Sequence, residues 1–394
     1  MRGVSVMNIL FVTGIFANNK KDTSLGGMSY AVYKSALGMQ KRGHTIRILE
    51  VSNRNRTWYY RNLKIISVRS CLGVEQESVW DILFDTIKRE RCIQKAIRKL
   101  NQEEAIDIVQ YAGWFGLGLL HSNQIPAVMR MSSYTKVQLV HNYSKEKRHL
   151  LQIVEYLAAK RMNYVFAPSR IMAAGVGKDI KKNVGVIETP FFQEEVEWDD
   201  HLLRTKLKDK KYVLYFGRMS VDKGILIIKD ILYKTLQKYP SCYFVFAGGS
   251  WTHNGMSIEK ELLLEAQEYK DKVLFTGMLP KEQLFPVIKS AEAILIPSLA
   301  DNLPNSCAEA MALGKVVIGT DGSSLEQFIK DGKNGFLAEP GSAESLYSCL
   351  EYVLEMDESE KQKIGGKAKK TIEKFDLENY SKRMEVLYEK IIKK

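Results

Sequence analysis

Residues 293–314 read AILIPSLADNLPNSCAEAMALG. The apolar run AILIPS ends at Pro297 and Ser298, a polar loop follows, and AEAMALG then places small apolar residues at helical spacing. A second apolar run, KVVIGT (315–320), comes directly after. Strand, loop, helix and strand in that order, with a short return from helix to strand, make a unit of a parallel sheet. The loop therefore opens at the carboxyl edge of that sheet, where ligands of open α/β sheets bind.

Two carboxylates, Asp301 and Glu309, stand eight positions apart in this stretch. Two readings are open from the residues alone. The acids can work together in a site, accepting hydrogen bonds from sugar or ribose hydroxyls. The helix, beginning near Pro304–Ser306, would then turn its unpaired N–H groups and positive end toward a diphosphate, with Ser306 adding a hydroxyl donor. Alternatively, Asp301 starts a loop and Ser306-x-x-Glu309 is a capping box, in which Glu309 reaches back to its own helix start.

The same alternation extends through the chain. Downstream of residue 192 it runs YVLYFG (212–217), the helical GILIIKDILYKTLQKY, CYFVFAGG (242–249), IEKELLLEAQEY, KVLFTG, KEQLFPVIKS and then the opening stretch. Upstream, NILFVTG (8–14) reads as a buried first strand rather than a signal peptide, because Asn8 and Thr13 interrupt it and no small-residue cleavage site follows. The polar loop IFANNKKDTS leads to a helix with Met28, Val32, Ala36 and Met39 on one face and Gly43 at its stop, then to the strand TIRILEV (45–51). Further strands are expected at 64–68, 107–111, 126–131, 164–167 and 184–188, and helices rich in Lys and Arg at about 79–100 and 145–162. FFQEEVEWDD (191–200) reads as a linker. The fold class is thus α/β, with two open, doubly wound parallel sheets over 1–192 and 193–374 and a cleft between the carboxyl ends of their strands. Residues 375–394 form a lone amphipathic helix with no strand after it.

Composition agrees with two domains. A chain of 394 residues exceeds one ordinary domain, and its 45% hydrophobic and 26% charged content is that of a soluble globular protein. Five cysteines lie far apart with no CxxC or Cys/His cluster, which favours free thiols over disulfides or zinc and a cytoplasmic setting. No apolar run approaches the ~20 residues of a membrane span. The net charge of +12 is uneven. Residues 1–192 hold 29 Lys and Arg against 14 Asp and Glu, whereas 193–394 hold 29 against 32. A basic half attracts phosphates, anionic lipid or nucleic acid, or is simply a solvated lysine-rich surface.

Other residues support a site. YFGRMSVDKG (215–224) puts Arg218 and Lys223 just after a strand, five apart, able to grip a diphosphate from two sides, with Gly217 and Gly224 permitting a tight turn. Gly248-Gly249 and FTGML (275–279), with Gly277 and Met278, supply further small-residue loops at strand ends.

With these motifs in order, the second half resembles the donor-binding domain of family 4 retaining glycosyltransferases, which have the GT-B fold. The resemblance rests on GRMSVDKG, FAGGS, VLFTG, PSLADNLPNSCAEAMALG and GTDGSSLEQFIKDGKNGFL, and more loosely on GGMSYAVYKSALGMQKRGHTIRIL in the first half. It implies two Rossmann-like domains and a last helix that crosses back to the first. It implies that Arg218 and Lys223 hold the diphosphate of a sugar nucleotide, that Glu309 binds the ribose and that Asp301 binds the transferred sugar. The backbone amides around Leu303 to Ser306, a stretch that includes Pro304 and Asn305, would contact phosphate or sugar, with Asn302, Gly217 and Gly248 alongside, and Gly277 and Met278 would lie by the base. Gly26 and Gly27 would serve the acceptor and phosphate side. No metal and no cofactor are expected, since cations and helix dipoles meet the charge. The expected reaction is retaining transfer of a sugar to an acceptor hydroxyl on a lipid-linked or polysaccharide glycan, in cell-surface polysaccharide assembly, with the basic half on the inner face of the cell membrane.

The sequence departs from that family in three places. Asp301 stands where glutamate is usual. DIVQYAGWFG (107–116) holds Gln110 and Ala112, and PAVMRMSSY (126–134) holds Met131 and Ser132, where a first-domain histidine is common. His121 and His141 are out of pattern and are expected at the surface. Two rivals share some of these features. A sugar-nucleotide epimerase of the same architecture is disfavoured by the Asp-x7-Glu segment with GRMSVDKG. A non-catalytic basic protein binding membrane or nucleic acid is disfavoured because the cations sit mainly on helices without aromatic interleaving, and nucleic acid is not expected as a partner.

Overall fold

The computed structural model describes residues 6–14, 16, 26–70, 78–137, 144–192 and 196–393. His141, most of the loop at 15–24 and residues 193–195 of the linker segment lie outside them. The chain forms two compact units, Met1–Pro190 with Asp376–Lys394, and Phe191–Phe375.

The first unit is built on eight strands: β1 (Asn8–Thr13), β2 (Thr45–Ser52), β3 (Arg56–Tyr60), β4 (Leu63–Arg69), β5 (Ile108–Ala112), β6 (Ala127–Arg130), β7 (Tyr164–Ala167) and β8 (Gly185–Val186). Their order is β3-β4-β2-β1-β5-β6-β7-β8, parallel throughout except where β3 pairs antiparallel with β4. The helices α1 (Gly27–Lys41), α2 (Val79–Glu103), α3 (Lys145–Arg161) and α4 (Arg170–Ile180) pack on it. Both sheet faces are apolar, so the central strands read as continuous hydrophobic runs. Ile9 and Phe11 of β1 enter one core with α1, while Leu10 and Val12 enter the other with α2, α3 and α4. The strand β3 was not expected from the sequence. Its two-residue turn, Arg61 and Asn62 at φ 46 and 69, is a hairpin turn made without the glycine that usually signals one.

The second unit holds α5 (His201–Thr205), β9 (Lys211–Phe216), α6 (Ile225–Lys238), β10 (Cys242–Ala247), the small hairpin β11 (Thr252–His253) and β12 (Met256–Ser257), α7 (Ile258–Glu265), β13 (Val273–Phe275), α8 (Lys281–Ser290), β14 (Ala293–Ile296), α9 (Asn305–Ala312), β15 (Val317–Thr320), β16 (Phe336–Ala338), α10 (Ala343–Glu355) and α11 (Glu358–Ile372). Its six-stranded parallel sheet has the order β13-β10-β9-β14-β15-β16. Succession runs one way from β9 through β10 to β13, then resumes on the other side at β14. The order therefore reverses between β9 and β14. Pro286 sits inside α8, where it removes one helical donor. The carbonyl of Glu282, four residues back, accepts instead from the Asp199 N–H at 3.0 Å.

The last helix, α12 (Leu377–Ile392), belongs to the first unit. Tyr380, Met384, Tyr388 and Ile391 share a core with Tyr30, Tyr33, Ala36 and Met39 of α1. The Tyr380 hydroxyl lies 2.7 Å from Ser35 Oγ, and Tyr388 donates to Gln110 Oε1 at 2.5 Å. Glu385 accepts from Arg42 Nε at 2.5 Å and pairs with His44 Nε2 at 2.9 Å, while His44 Nδ1 accepts the Met7 N–H. The helices approach closely at Gly38, where a Cβ would stand 2.3 Å from Ser381 Oγ and 2.9 Å from Leu377 Cδ1. Gly38→Val should therefore force α12 outward and cost about 1–3 kcal/mol of unfolding free energy, measured by denaturant titration.

Two carboxyls, Glu90 of α2 and Glu155 of α3, are buried. Glu90 accepts from the Leu120 N–H at 3.2 Å and Glu155 from the Thr135 N–H at 2.8 Å. Burial disfavours their charged forms more than these bonds favour them, and both are pushed up from 4.5 to about 7. The native state thus holds protons that the unfolded chain has released, so stability falls as pH rises from about 4.5 to about 7 and is level above that. Glu155→Gln should remove its share. The variant's advantage over the parent should grow across that window, to at most about 3 kcal/mol, in denaturation curves taken at successive pH values.

Candidate functional site

The reversal between β9 and β14 brings two loops together. Gly224, with φ 73, ends the β9 loop, and a Cβ there would fall 1.8 Å from the Pro297 carbonyl oxygen of the β14 loop. No side chain fits that contact. The Leu299 and Ala300 N–H groups then donate to the Asp222 carbonyl at 3.0 and 3.3 Å. This backbone docking sets Lys223 against Asp301, whose Oδ2 accepts from Lys223 Nζ at 2.6 Å and from Ser298 Oγ at 3.3 Å. Asp301 Oδ1 accepts the Asn302 N–H at 2.9 Å.

Arg218 lies earlier on the same loop and is exposed. It donates from Nη2 to Asp222 Oδ2 at 2.7 Å and from Nε to Ser220 Oγ at 3.1 Å, and its guanidinium lies 4.8 Å from the centre of the Trp251 ring. The Tyr215 hydroxyl donates to the Arg218 carbonyl at 2.6 Å. Burial, with the charges of Asp222 and Asp301 nearby, holds that phenol protonated far above its ordinary range, so it stays a donor. At β10, a Cβ on Gly248 would fall 1.8 Å from the Gly217 carbonyl oxygen, so these two loop glycines touch through their backbones.

The loop 301–304 ends in strain. Leu303 is buried at φ 63, a conformation unfavourable for a leucine, and its N–H donates to Ser324 Oγ at 3.0 Å. The helix α9 starts at Asn305, with Pro304 in the cap position and no side-chain cap there. This corrects the capping-box reading. Ser306 is the second residue inside the helix, so the box is out of register, and proline has no side-chain acceptor for the first turn. Glu309 lies one turn further on, 3.9 Å from Lys281 Nζ at the start of α8. That contact links Glu309 to the loop after β13, where Gly277 and Met278 are exposed.

In the second unit, then, the expected residues Gly217, Arg218, Lys223, Gly248, Gly277, Met278, Asn302, Leu303, Pro304, Asn305, Ser306 and Asp301 lie in loops or helix starts that follow β9, β10, β13 and β14, and Glu309 lies one turn into α9. Asp222, Trp251 and Lys281 were missed. Lys281 follows FTGMLP directly and Trp251 follows the Gly248-Gly249 turn, so position alone could have marked both.

In the first unit, Gly26 caps α1 and Gly27 is its first residue, both exposed. His121 is not a surface residue. It is 2% exposed, its Nδ1 lies 2.9 Å from the Tyr111 hydroxyl and its Nε2 lies 2.8 Å from the Ile125 carbonyl. Burial lowers its pKa, and the neutral ring satisfies both partners. Gln110 anchors α12 through Tyr388 rather than facing a ligand. Among the described residues, no group of three or more His, Cys, Asp and Glu side chains stands ready for a metal, and no helix is long and apolar enough to cross a membrane.

The fold is shared with solved structures across nearly the whole chain. Sucrose-phosphate synthase from Thermosynechococcus elongatus aligns over 97% of this chain and 98% of its own, with a TM-score of 0.77 at 18% identity. Anabaena HepE in complex with UDP and glucose aligns over 96% and 98%, with a TM-score of 0.72 at 16% identity. Together with the two doubly wound units, these likenesses show the GT-B fold. Residues 200–371, most of the second unit, match the family model described as Glycosyl transferases group 1. By sequence, the chain is 29% identical over 184 residues to the lipopolysaccharide 1,2-N-acetylglucosaminetransferase of Salmonella typhimurium, covering 45% of this chain and 48% of that protein. It is 23% identical to the alpha-D-kanosaminyltransferase of Streptomyces kanamyceticus, with 48% of each covered. The chain thus spans about half the length of these two curated relatives.

The pair Lys223–Asp301 is partly shielded from water, with side chains 25% and 13% exposed. A double-mutant cycle of Lys223→Met and Asp301→Asn should return a coupling of about 1 kcal/mol or more in unfolding free energy, larger than an exposed pair gives. Full additivity would mean that the Lys223 and Asp301 side chains do not pair as described.

Proposed function

We propose that the protein is a retaining, family 4 glycosyltransferase, which moves a sugar from a nucleoside-diphosphate sugar to an acceptor hydroxyl. The observation that carries this reading is the Lys223–Asp301 contact at the point where the strand order reverses, flanked by Arg218 and by the Lys281–Glu309 pair. Cations and hydroxyl-binding carboxylates are interleaved there, as a substrate with both phosphates and sugar hydroxyls requires.

In this reading the diphosphate takes over the Lys223 ammonium from Asp301. The same exchange frees the Asp301 carboxylate to accept from the sugar's hydroxyls. Arg218, steadied by Asp222 and Trp251, meets the other side of the diphosphate, and the open N-terminus of α9 adds N–H donors. Glu309 accepts from the ribose. The bond from the anomeric carbon to the phosphate oxygen breaks as the acceptor oxygen bonds to that carbon from the same face. The acceptor's proton passes to the departing phosphate. Arg218 and Lys223 stabilise the charge that develops, without a metal or cofactor. The acceptor is proposed to be a lipid-linked or polysaccharide glycan of cell-surface assembly, met from the cytoplasmic side. The relative named for lipopolysaccharide supports that choice. Uridine diphosphate is the first nucleotide to test, because HepE is described with UDP and glucose.

The test is a thermal-shift panel of nucleoside diphosphates and their sugars, followed by transfer assays. One base should raise the melting temperature, equivalent to about 2.7 kcal/mol at a hundredfold excess over Kd. Lys223→Ala and Glu309→Ala should each lower transfer at subsaturating donor by about 10- to 100-fold, the loss of a charge-assisted hydrogen bond. No shift with any nucleotide, or full transfer by both variants, would defeat the proposal.

A further inference from the structure

The helix α2 lies on the sheet of the first unit through Ile82, Thr86, Ile93, Ile97 and Leu100. Its opposite face is unusual. Trp80 and Phe84 are 69% and 66% exposed, one turn apart. Lys88, Arg91, Lys95 and Arg98 continue the same stripe at three- and four-residue spacing, all exposed. One face of a single helix thus carries two large aromatic rings at one end and four cations along the rest. The neighbouring α3 covers the same side of the sheet, and it exposes Ile153 and Leu157 one turn apart, 43% and 47%. Both outer faces point away from the sheet, so apolar and cationic groups share one side of the unit.

We propose that this side, led by α2, docks on an anionic lipid bilayer. Trp80 and Phe84 sit at the level of the headgroups, and the cations lie against lipid phosphates. Exposed aromatics on a helix are stabilised by leaving water, and an aromatic ring together with a cationic stripe matches an anionic interface. A single-stranded nucleic acid would call for rings interleaved with cations, so that bases and phosphates are met in turn. Here the rings stand together beyond the cations, which favours the bilayer. The surface deepens the proposed function by naming the residues that would bring the enzyme to a lipid-linked acceptor, and it rests on that reading for its purpose only.

The test is flotation of the full chain with vesicles of phosphatidylcholine alone or mixed with phosphatidylglycerol, at low and at physiological salt. Binding is expected only with the anionic lipid and should weaken with salt. Trp80→Ser with Phe84→Ser should reduce vesicle affinity at least tenfold. Lys88→Gln, Arg91→Gln and Lys95→Gln should each reduce it about fivefold. The thermal shift with nucleotide should be the same in these variants and the parent, which confirms folding and keeps failure of the docking surface separate from failure of the donor-site assignment. The proposal is overturned by equal or absent binding to both vesicles, by variants that bind as the parent does, by RNA that competes the vesicles away, or by a dimer in solution that the aromatic double variant dissolves.

Discussion

The Pro297 carbonyl occupies the space that a side chain on residue 224 would need. Two backbones touch there, at the one place in the second sheet where strand order reverses, and the rest of the candidate site follows from it. The Asp222 carbonyl takes two N–H groups of the facing loop, Lys223 meets Asp301, and Asp222 in turn holds Arg218. The ion pairs contribute modestly at partly exposed positions. The geometry is set by uncharged contacts, and the charges are positioned by it.

Much of the architecture is legible in the sequence for a simple reason. Strands covered on both faces become unbroken apolar runs, and the helices between them return to the 3.6-residue period. What the sequence hides are features that depend on one atypical residue. The hairpin leading to β4 turns on Arg61 and Asn62, which adopt positive φ without a glycine. The start of α9 lies one residue before Ser306, because Pro304 takes the cap position and Leu303 accepts a strained conformation ahead of it. His121 looks like a solvent-facing residue of a loop. In the fold its ring closes a hydrogen-bonded chain between Tyr111 and Ile125 beneath α2.

The loops of the candidate site were legible as a set of positions but not as a set of partners. Strand ends followed by Gly, Arg, Lys, Asp and Glu marked the loops. That Lys223 faces Asp301, that Arg218 lies over Trp251, and that Lys281 reaches toward Glu309 all arise from contacts between residues 28 to 78 positions apart. The shorter reach of Asp301 acquires a physical meaning from this pairing. Its carboxylate is already paired with Lys223, so under the proposed function a sugar nucleotide competes for the lysine before the acid serves the sugar.

The central claim is that the loops after β9, β13 and β14 form one binding surface for a nucleotide diphosphate. Hydrogen exchange measured by mass spectrometry, with and without saturating uridine diphosphate, tests it most directly. The account predicts slowed exchange in peptides covering 217–224, 277–281 and 299–309 together. Protection confined to the first unit under saturating nucleotide would contradict it.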